Sequence, residues 1–399
     1  MNKYNKTKIH FVGIGGIGMS GIAELMLDIG YEIQGSDIKI NKNIERLIKR
    51  GITFFKGHNK KNIKKVSAVV FSSAIKKNNP ELIACKKLSI PLITRADMLA
   101  ELMKFKKSIA IAGSHGKTTT TSLVGSIFDN AKYDPTIING GIINSYSKNN
   151  RFGKGEWMIV EADESDGSFL KLPHEINIIT NIDLEHLDFY KSKKKLLDTF
   201  KSFITNLPFY GYSIICIDNI NLKNLSKKIN TRKIITYSKK QKSDVRIISI
   251  RNNRNSTEFT LFFKNGIIKN IKGEIKFKLS LLGEHNVLNA TSAIIASLLC
   301  GISINKITNS LSNFQGVKRR FSLLGKISKA SVYDDYAHHP SEIKASYEIA
   351  KQICDKKIVI VFQPHRYSRT KILFNEFIFV LSKIKKLYLL DTYSAGEKK

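Results

Sequence analysis

Gly113, Ser114, His115, Gly116, Lys117, Thr118 and Thr119 follow a short apolar stretch and lead into a threonine-rich helix start. These residue types at this spacing suit a nucleoside triphosphate. Glycines let backbone N–H groups close around phosphate oxygens, and a helix N-terminus adds partial positive charge. Lys117 adds a full charge, and the Thr118 hydroxyl can hold Mg²⁺. Only Ser114 and His115 separate Gly113 from Gly116, so the loop is shorter than the common G-x-x-x-x-G-K pattern.

Further polar groups stand at the ends of predicted strands. Glu161, Asp163, Glu164 and Asp166 follow the apolar run 157–160. A carboxylate at a strand's C-terminal end, in the same unit as a phosphate loop, is placed to hold Mg²⁺, although an acidic loop at a sheet edge has the same composition. His186 stands among Asp183, Glu185 and Asp188 after the next strand, where ligand sites of open α/β sheets collect. His285, Asn286 and Asn289 open a long apolar helix; the asparagines can cap it or read a base edge with their amides. Arg319 and Arg320 can neutralise phosphate charge, or lie on a solvated linker.

A second glycine cluster lies near the start. Gly13, Gly15, Gly16 and Gly18 fit G-x-G-x-x-G between a strand and a helix, and Asp37 ends the next strand, placed for a ribose hydroxyl. Alone, this pattern reads as a nicotinamide dinucleotide site, but any diphosphate nucleotide fits glycines at a helix N-terminus. Two nucleotide sites in one chain favour a division in which one nucleotide is a handle on the substrate and the other is the fuel.

The elements that must position these groups belong to a multidomain α/β protein. The 399 residues are enough for two or three cores. Strands are predicted over 8–12, 31–34 and 66–71 with a helix over 17–29, giving a Rossmann-like first domain, 1–106. A central domain of P-loop ATPase type with a mixed sheet, 107–315, has strands over 157–161, 176–180 and 213–217, antiparallel alternation over 244–282 and a helix over 286–299. A third, Rossmann-like domain, 316–399, has strands over 331–334, 358–362 and 387–391. A doubly wound domain has more strands, so this one is expected to be incomplete.

The net charge of +33 comes from 54 lysines and 12 arginines against 33 acids, with the lysines spread along the chain. No basic patch interleaved with aromatics accompanies them, so nucleic acid is not an expected partner. No apolar run is long enough for a membrane span or a signal-peptide core, and the four dispersed cysteines form no C-x-x-C pair. A cytoplasmic protein without membrane partners is expected.

Taken together, 13–24 (GIGGIGMSGIAE), 72–80 (SSAIKKNNP), 113–121 (GSHGKTTTT), 161–169 (EADESDGSF), 181–190, 283–289, 334–340 (DDYAHHP) and 363–370 (QPHRYSRT) resemble the Mur ligases nearly end to end. These are the ATP-dependent amino-acid ligases of peptidoglycan synthesis. The first and last motifs are most similar to the branch that joins L-alanine to UDP-N-acetylmuramate. The resemblance implies that Gly113–Thr119 bind ATP, with Lys117 on the β- and γ-phosphates and Thr118, Glu161 and His186 at Mg²⁺ sites. It implies adenine contacts from Asn286 and Asn289 with His285 beside them, and Arg320 and Asp335 reaching ATP from the third domain. Gly13, Gly15, Gly16, Gly18, Asp37, Ser72 and Ser73 match the UDP-sugar side, and Tyr336, His338, Arg366 and Arg369 match positions that accept L-alanine. The implied catalytic group is Lys117, Glu161, His186 and Arg320, and the implied reaction passes through an acyl phosphate.

Two departures stand out. Ser114 replaces the family's usual threonine, keeping a hydroxyl. Relatives continue past 391–397, which is expected to leave 387–391 as an unpaired sheet edge. Two other readings stay open at this point: a pyridine-nucleotide oxidoreductase built on the first glycine cluster, and a catalytically impaired UDP-sugar-binding remnant.

Overall fold

The computed structural model describes residues 7–72, 74–146, 148–354 and 357–397. Its first domain is a parallel sheet of β1 (Lys8–Val12), β2 (Glu32–Asp37), β3 (Thr53–Lys56), β4 (Ala68–Phe71) and β5 (Leu92–Thr94) in the order β3-β2-β1-β4-β5. The order reverses at β1, and the glycine turn follows that strand directly. Helix α1 (Ile17–Ile29) begins at Gly16 and ends at Gly30, whose φ of 105° is the left-handed conformation common at helix ends. The helix buries Met19, Ile22, Ala23, Leu25 and Met26. Gly21 lets the helix pack closely on the central domain, since a Cβ there would stand 1.9 Å from Asn150 Nδ2.

The central domain carries a ten-stranded sheet. Its strands are β6 (Lys107–Ala112), β7 (Thr136–Ile143), β8 (Lys148–Arg151), β9 (Trp157–Glu161), β10 (Ile176–Ile179), β11 (Tyr212–Cys216), β12 (Lys233–Ser238), β13 (Val245–Asn252), β14 (Thr257–Ile268) and β15 (Ile271–Leu279). The order is β15-β14-β13-β12-β11-β10-β6-β9-β7-β8, parallel from β13 to β7 and antiparallel at both ends. Buried on both faces, the central strands are continuous apolar runs such as Ile109–Ala112. Helices α2 (Lys117–Asn130) and α3 (Glu284–Leu299) pack on this sheet and on each other.

The third domain differs from the expected single parallel sheet. The 331–334 segment lies in β17 (Ala330–Asp334), which forms an antiparallel hairpin with β16 (Ser322–Ile327). Separately, β18 (Ile360–Phe362) and β19 (Leu387–Leu389) pair in parallel as a two-stranded sheet, so among the described residues the outer side of the last strand is the unpaired edge expected for 387–391. Helices α4 (Pro340–Ile353) and α5 (Tyr367–Ile372) carry its polar motifs.

One contiguous core runs through the first two domains, from Phe11 and Met19 to Ile111, Phe128 and Ile294. The third domain has its own core of Ile343, Phe362, Leu373, Phe377, Val380 and Ile384. Val361, Tyr388 and Leu389 of its parallel pair are exposed. None of the helices in the described residues is long and apolar enough to cross a membrane.

Candidate active site

The phosphate loop joins β6 to α2. Gly113 and Gly116 take φ of +132° and +82°, and neither has room for a side chain. A Cβ on Gly113 would stand 2.2 Å from Thr180 Oγ1, and one on Gly116 would stand 2.5 Å from Asn289 Oδ1. The strand end opposite holds the loop's shape. Asn181 Oδ1 accepts from the His115 N–H at 2.8 Å, Thr180 Oγ1 donates to the His115 carbonyl at 2.6 Å, and Ser114 Oγ accepts from the Asp183 N–H at 2.8 Å. No side chain caps α2, so its first turn presents backbone N–H groups to an anion.

Lys117 folds back over the loop. Its Nζ donates to the Gly113 carbonyl at 2.6 Å and lies 2.8 Å from Glu164 Oε2. Burial opposes the charge on Lys117, but Glu164 and Glu161 outweigh it and raise the ammonium pKa. Burial pushes the Glu164 carboxyl up to about 7 against the pull of Lys117. Glu164 sits inside the acidic run visible in the sequence, yet only the structure separates it from its neighbours as the lysine's partner.

The three expected metal residues fall into two groups. Thr118 Oγ1 donates to Glu161 Oε1 at 3.1 Å, while Glu161 Oε2 accepts from the Gly140 N–H at 2.7 Å. His186, at a φ of +55°, places Nε2 at 3.9 Å from Glu164 and 3.8 Å from Glu185. Burial lowers the His186 pKa, which favours the neutral, ligating imidazole.

Asn286 and Asn289 lie in the first turns of α3, with Asn289 against Gly116. The Asn286 Nδ2 donates to the Leu282 carbonyl at 2.7 Å, and Asn289 Nδ2 reaches Asn286 Oδ1 at 3.4 Å. His285 is exposed beside them. From the third domain, Arg320 places Nη1 3.8 Å from Glu342 and its guanidinium 5.6 Å from the Tyr336 ring centre. Arg319 sits 5.0 Å from the same ring. Asp335 is taken up locally, accepting from Ser346 Oγ and from the Ala337 N–H, and burial raises its pKa.

Arg366 and Arg369 line a cleft with Leu184, Glu185, His186 and Ser368, so residues from the central and third domains meet there. Tyr336 and His338 lie edge to face at 5.2 Å, His338 and His365 are 5.9 Å apart, and Arg369 donates to the His365 carbonyl at 3.3 Å. His115 turns away from the loop towards the third domain. Its Nδ1 lies 3.1 Å from Glu342 Oε1 and its Nε2 lies 3.1 Å from Asp183 Oδ2. Glu342 closes a capping box at the start of α4, accepting from the His338 and His339 N–H groups at 3.0 and 3.2 Å. The sequence shows Glu185 only as a neighbour of His186 and His339 only within the 334–340 motif, and Glu342 is not singled out there.

At the first glycine turn, Asp37 Oδ2 accepts from the Gly15 N–H at 2.8 Å and Oδ1 from the Ile38 N–H at 2.7 Å. The carboxylate expected at a ribose is thus engaged in fixing its own turn. Gly13, at a φ of +80°, faces Ser72 and Ile75, and Gly18 lies under Arg95, a cation the motif reading did not include. Gly16 is the N-cap of α1. Ser73 lies outside the described residues.

Three family models match in succession: the Mur ligase family catalytic domain over 8–107, the Mur ligase middle domain over 111–297 and the Mur ligase glutamate ligase domain over 319–399. The chain is 46% identical over 389 residues to a UDP-N-acetylmuramate–L-alanine ligase of Xanthobacter autotrophicus, covering 98% of this chain and 83% of that one. It is 47% identical, with the same coverage, to that of Agrobacterium fabrum. Among solved structures, a UDP-N-acetylmuramate–alanine ligase of Thermotoga maritima superposes with a TM-score of 0.80 at 29% identity, covering 96% of this chain and 90% of that one. A murein peptide ligase of Psychrobacter arcticus shares the fold with a TM-score of 0.76 at 23% identity, covering 97% and 91%. With family models spanning all three domains and relatives this similar over nearly its whole length, the chain belongs to the Mur ligase family.

Proposed function

We propose that this chain ligates L-alanine to the lactyl carboxylate of UDP-N-acetylmuramate at the expense of ATP, in peptidoglycan precursor synthesis. The observation that carries the reading is the meeting of two sides in one cleft: His186, beside the Lys117–Glu164 pair, lines the same walls as Arg366 and Arg369. An ATP-side loop facing a pair of arginines is the arrangement needed to pass an activated carboxyl to an amino acid. The oxidoreductase reading of the first glycine cluster has no such counterpart.

The lactyl carboxylate attacks the γ-phosphate, ADP leaves, and an acyl phosphate forms. Lys117 and the N-terminus of α2 stabilise charge spreading over the transferred phosphate. The L-alanine amine then attacks the acyl carbon, inorganic phosphate departs, and an amide remains. Arg366 and Arg369 orient the amino acid through its carboxylate, with Tyr336 and His338 beside them. Arg320 brings charge from the third domain, while Asn286 and Asn289 with His285 flank the nucleotide's base. At the first sheet, the first-turn N–H groups of α1, together with Arg95 beside Gly18, take the UDP diphosphate. Mg²⁺, when bound, would neutralise phosphate charge; Thr118 and Glu161 offer hard oxygens side by side, and a neutral His186 offers a nitrogen in the separate group with Glu164 and Glu185.

The test is product identification. Incubation of the chain with ATP, Mg²⁺, UDP-N-acetylmuramate and L-alanine should yield a nucleotide sugar heavier by one alanyl residue in mass spectrometry. A nucleotide sugar that stays unchanged while the protein remains folded would refute the reading.

A further inference from the structure

The geometry points to a second metal site, separate from the Mg²⁺ residues: His115 Nε2, His339 Nε2 and Glu185 Oε1 bind one divalent transition-metal ion of the Zn²⁺ or Co²⁺ type, stapling the third domain to the phosphate loop. The three ligand atoms all lie within 4.8 Å of one another. Glu185 Oε1 is 3.9 Å from His115 Nε2 and 3.7 Å from His339 Nε2, and the two imidazole centres are 4.6 Å apart. Bonds of about 2.0–2.1 Å in a tetrahedral shell place ligand atoms roughly 3.4 Å apart, so closure draws the two Glu185 edges in by a few tenths of an ångström and brings the imidazole nitrogens together from within 4.8 Å.

An independent feature marks the centre of this group. Glu185 Oε1 is buried and has no hydrogen-bond partner, although its side chain is only 9% exposed. Such an atom is costly to leave unmatched, and a cation between it and the imidazoles would match it. The other Glu185 oxygen faces His186 at 3.8 Å, so one carboxylate separates the two groups.

The outer partners are those of a metal-ligating pair of histidines. His115 Nδ1 is 3.1 Å from the Glu342 carboxylate, and His339 Nδ1 is 2.7 Å from Ser341 Oγ. His115 can hold its Nδ1 proton against Glu342 and free Nε2 for the ion, whereas His339 Nδ1 accepts the Ser341 N–H at 3.3 Å in the helix cap, so an ion at its Nε2 requires the ring proton to move to Nδ1, where Ser341 Oγ accepts it. Asp183 Oδ2, 3.1 Å from His115 Nε2, adds a further oxygen. In the metal-free chain it accepts the Nε2 proton's hydrogen bond; on binding, that proton leaves for solvent. Two imidazoles and a carboxylate favour Zn²⁺ or Co²⁺ over Mg²⁺, which prefers all-oxygen shells. Since His115 belongs to the phosphate loop and His339 to the third domain, the bound ion holds the cleft closed and slows turnover.

The experiment is a Co²⁺ titration of the full chain in excess Mg²⁺, read by visible absorption and by the third domain's melting. One equivalent of Co²⁺ should give the ligand-field absorption of a nitrogen- and oxygen-bound ion and raise the third domain's Tm. His339→Asn, which keeps a capping acceptor but removes the imidazole, should abolish both effects. Glu185→Gln should weaken binding at least tenfold, and His186→Asn should leave the spectrum in place. Absence of absorption in the wild type, its survival in both His339→Asn and Glu185→Gln, or its loss in His186→Asn would overturn the proposal.

Discussion

His115 in the phosphate loop and Glu342 at the start of α4 face each other at 3.1 Å, tying the central domain to the third. Burial works against the imidazolium, but hydrogen bonds to Asp183 and Glu342 raise the His115 pKa to about 10. Glu342 is held well below the usual carboxylate range, chiefly by His115 acting against burial. His339, Glu185 and Arg320 complete the surroundings.

This pair gives the docking of the third domain a pH dependence. A histidine whose pKa is higher folded than unfolded contributes stability that is full below the unfolded value, near 6.5, and is lost as pH rises through about 10. In chelator-treated protein, proteolysis between the central and third domains should therefore accelerate from neutral pH towards pH 10, and His115→Ala should flatten that profile. Removing the charged hydrogen bond should cost about 1.5–3 kcal/mol.

Lys117→Ala should lower ATP-driven phosphate release by about 10²-fold or more, since it removes the charge aimed at the transferred phosphate. It also strands Glu164, only 2% exposed, without its partner, which should cost about 3–5 kcal/mol. The double variant Lys117→Ala/Glu164→Gln should regain stability in a thermal melt without regaining activity. Recovery of both would mean that Lys117 is structural alone.

Arg369→Ala should raise KM for L-alanine roughly tenfold to a hundredfold, the value of a charge-assisted contact, while KM for ATP stays near that of the parent. Steady-state kinetics with each substrate varied in turn separates this from general damage, which would move all three constants.

The third domain should melt first. Its core is separate from the large shared one, and Phe377, beside Phe362 at 5.8 Å between ring centres, is central to it. Phe377→Ala should cost about 3–5 kcal/mol and be felt in that domain alone. Calorimetry should show the first transition moving down while the later one stays; a single transition moving as a unit would contradict the separation.

Local pattern was enough for much of this architecture. The strand over 8–12 and the helix over 17–29 have the predicted ends because their apolar periods and flanking glycines are local signals. The phosphate loop was legible for the same reason. The hairpin of β16 with β17 was not, since pairing direction depends on a partner distant from any motif. Glu164, Glu185 and Glu342 were hidden because their roles come from what packs around them: a buried lysine, two histidines from different domains, and a loop imidazole. Asp37 shows the converse, a residue that fits a ligand pattern while its carboxylate is spent on its own turn.

The most direct measurement is phosphate release from Mg²⁺–ATP and UDP-N-acetylmuramate, with and without L-alanine. The ligase reading predicts release that depends on both the nucleotide sugar and the amino acid, stoichiometric with the amide product. Release that ignores L-alanine, or none from folded protein, would contradict it.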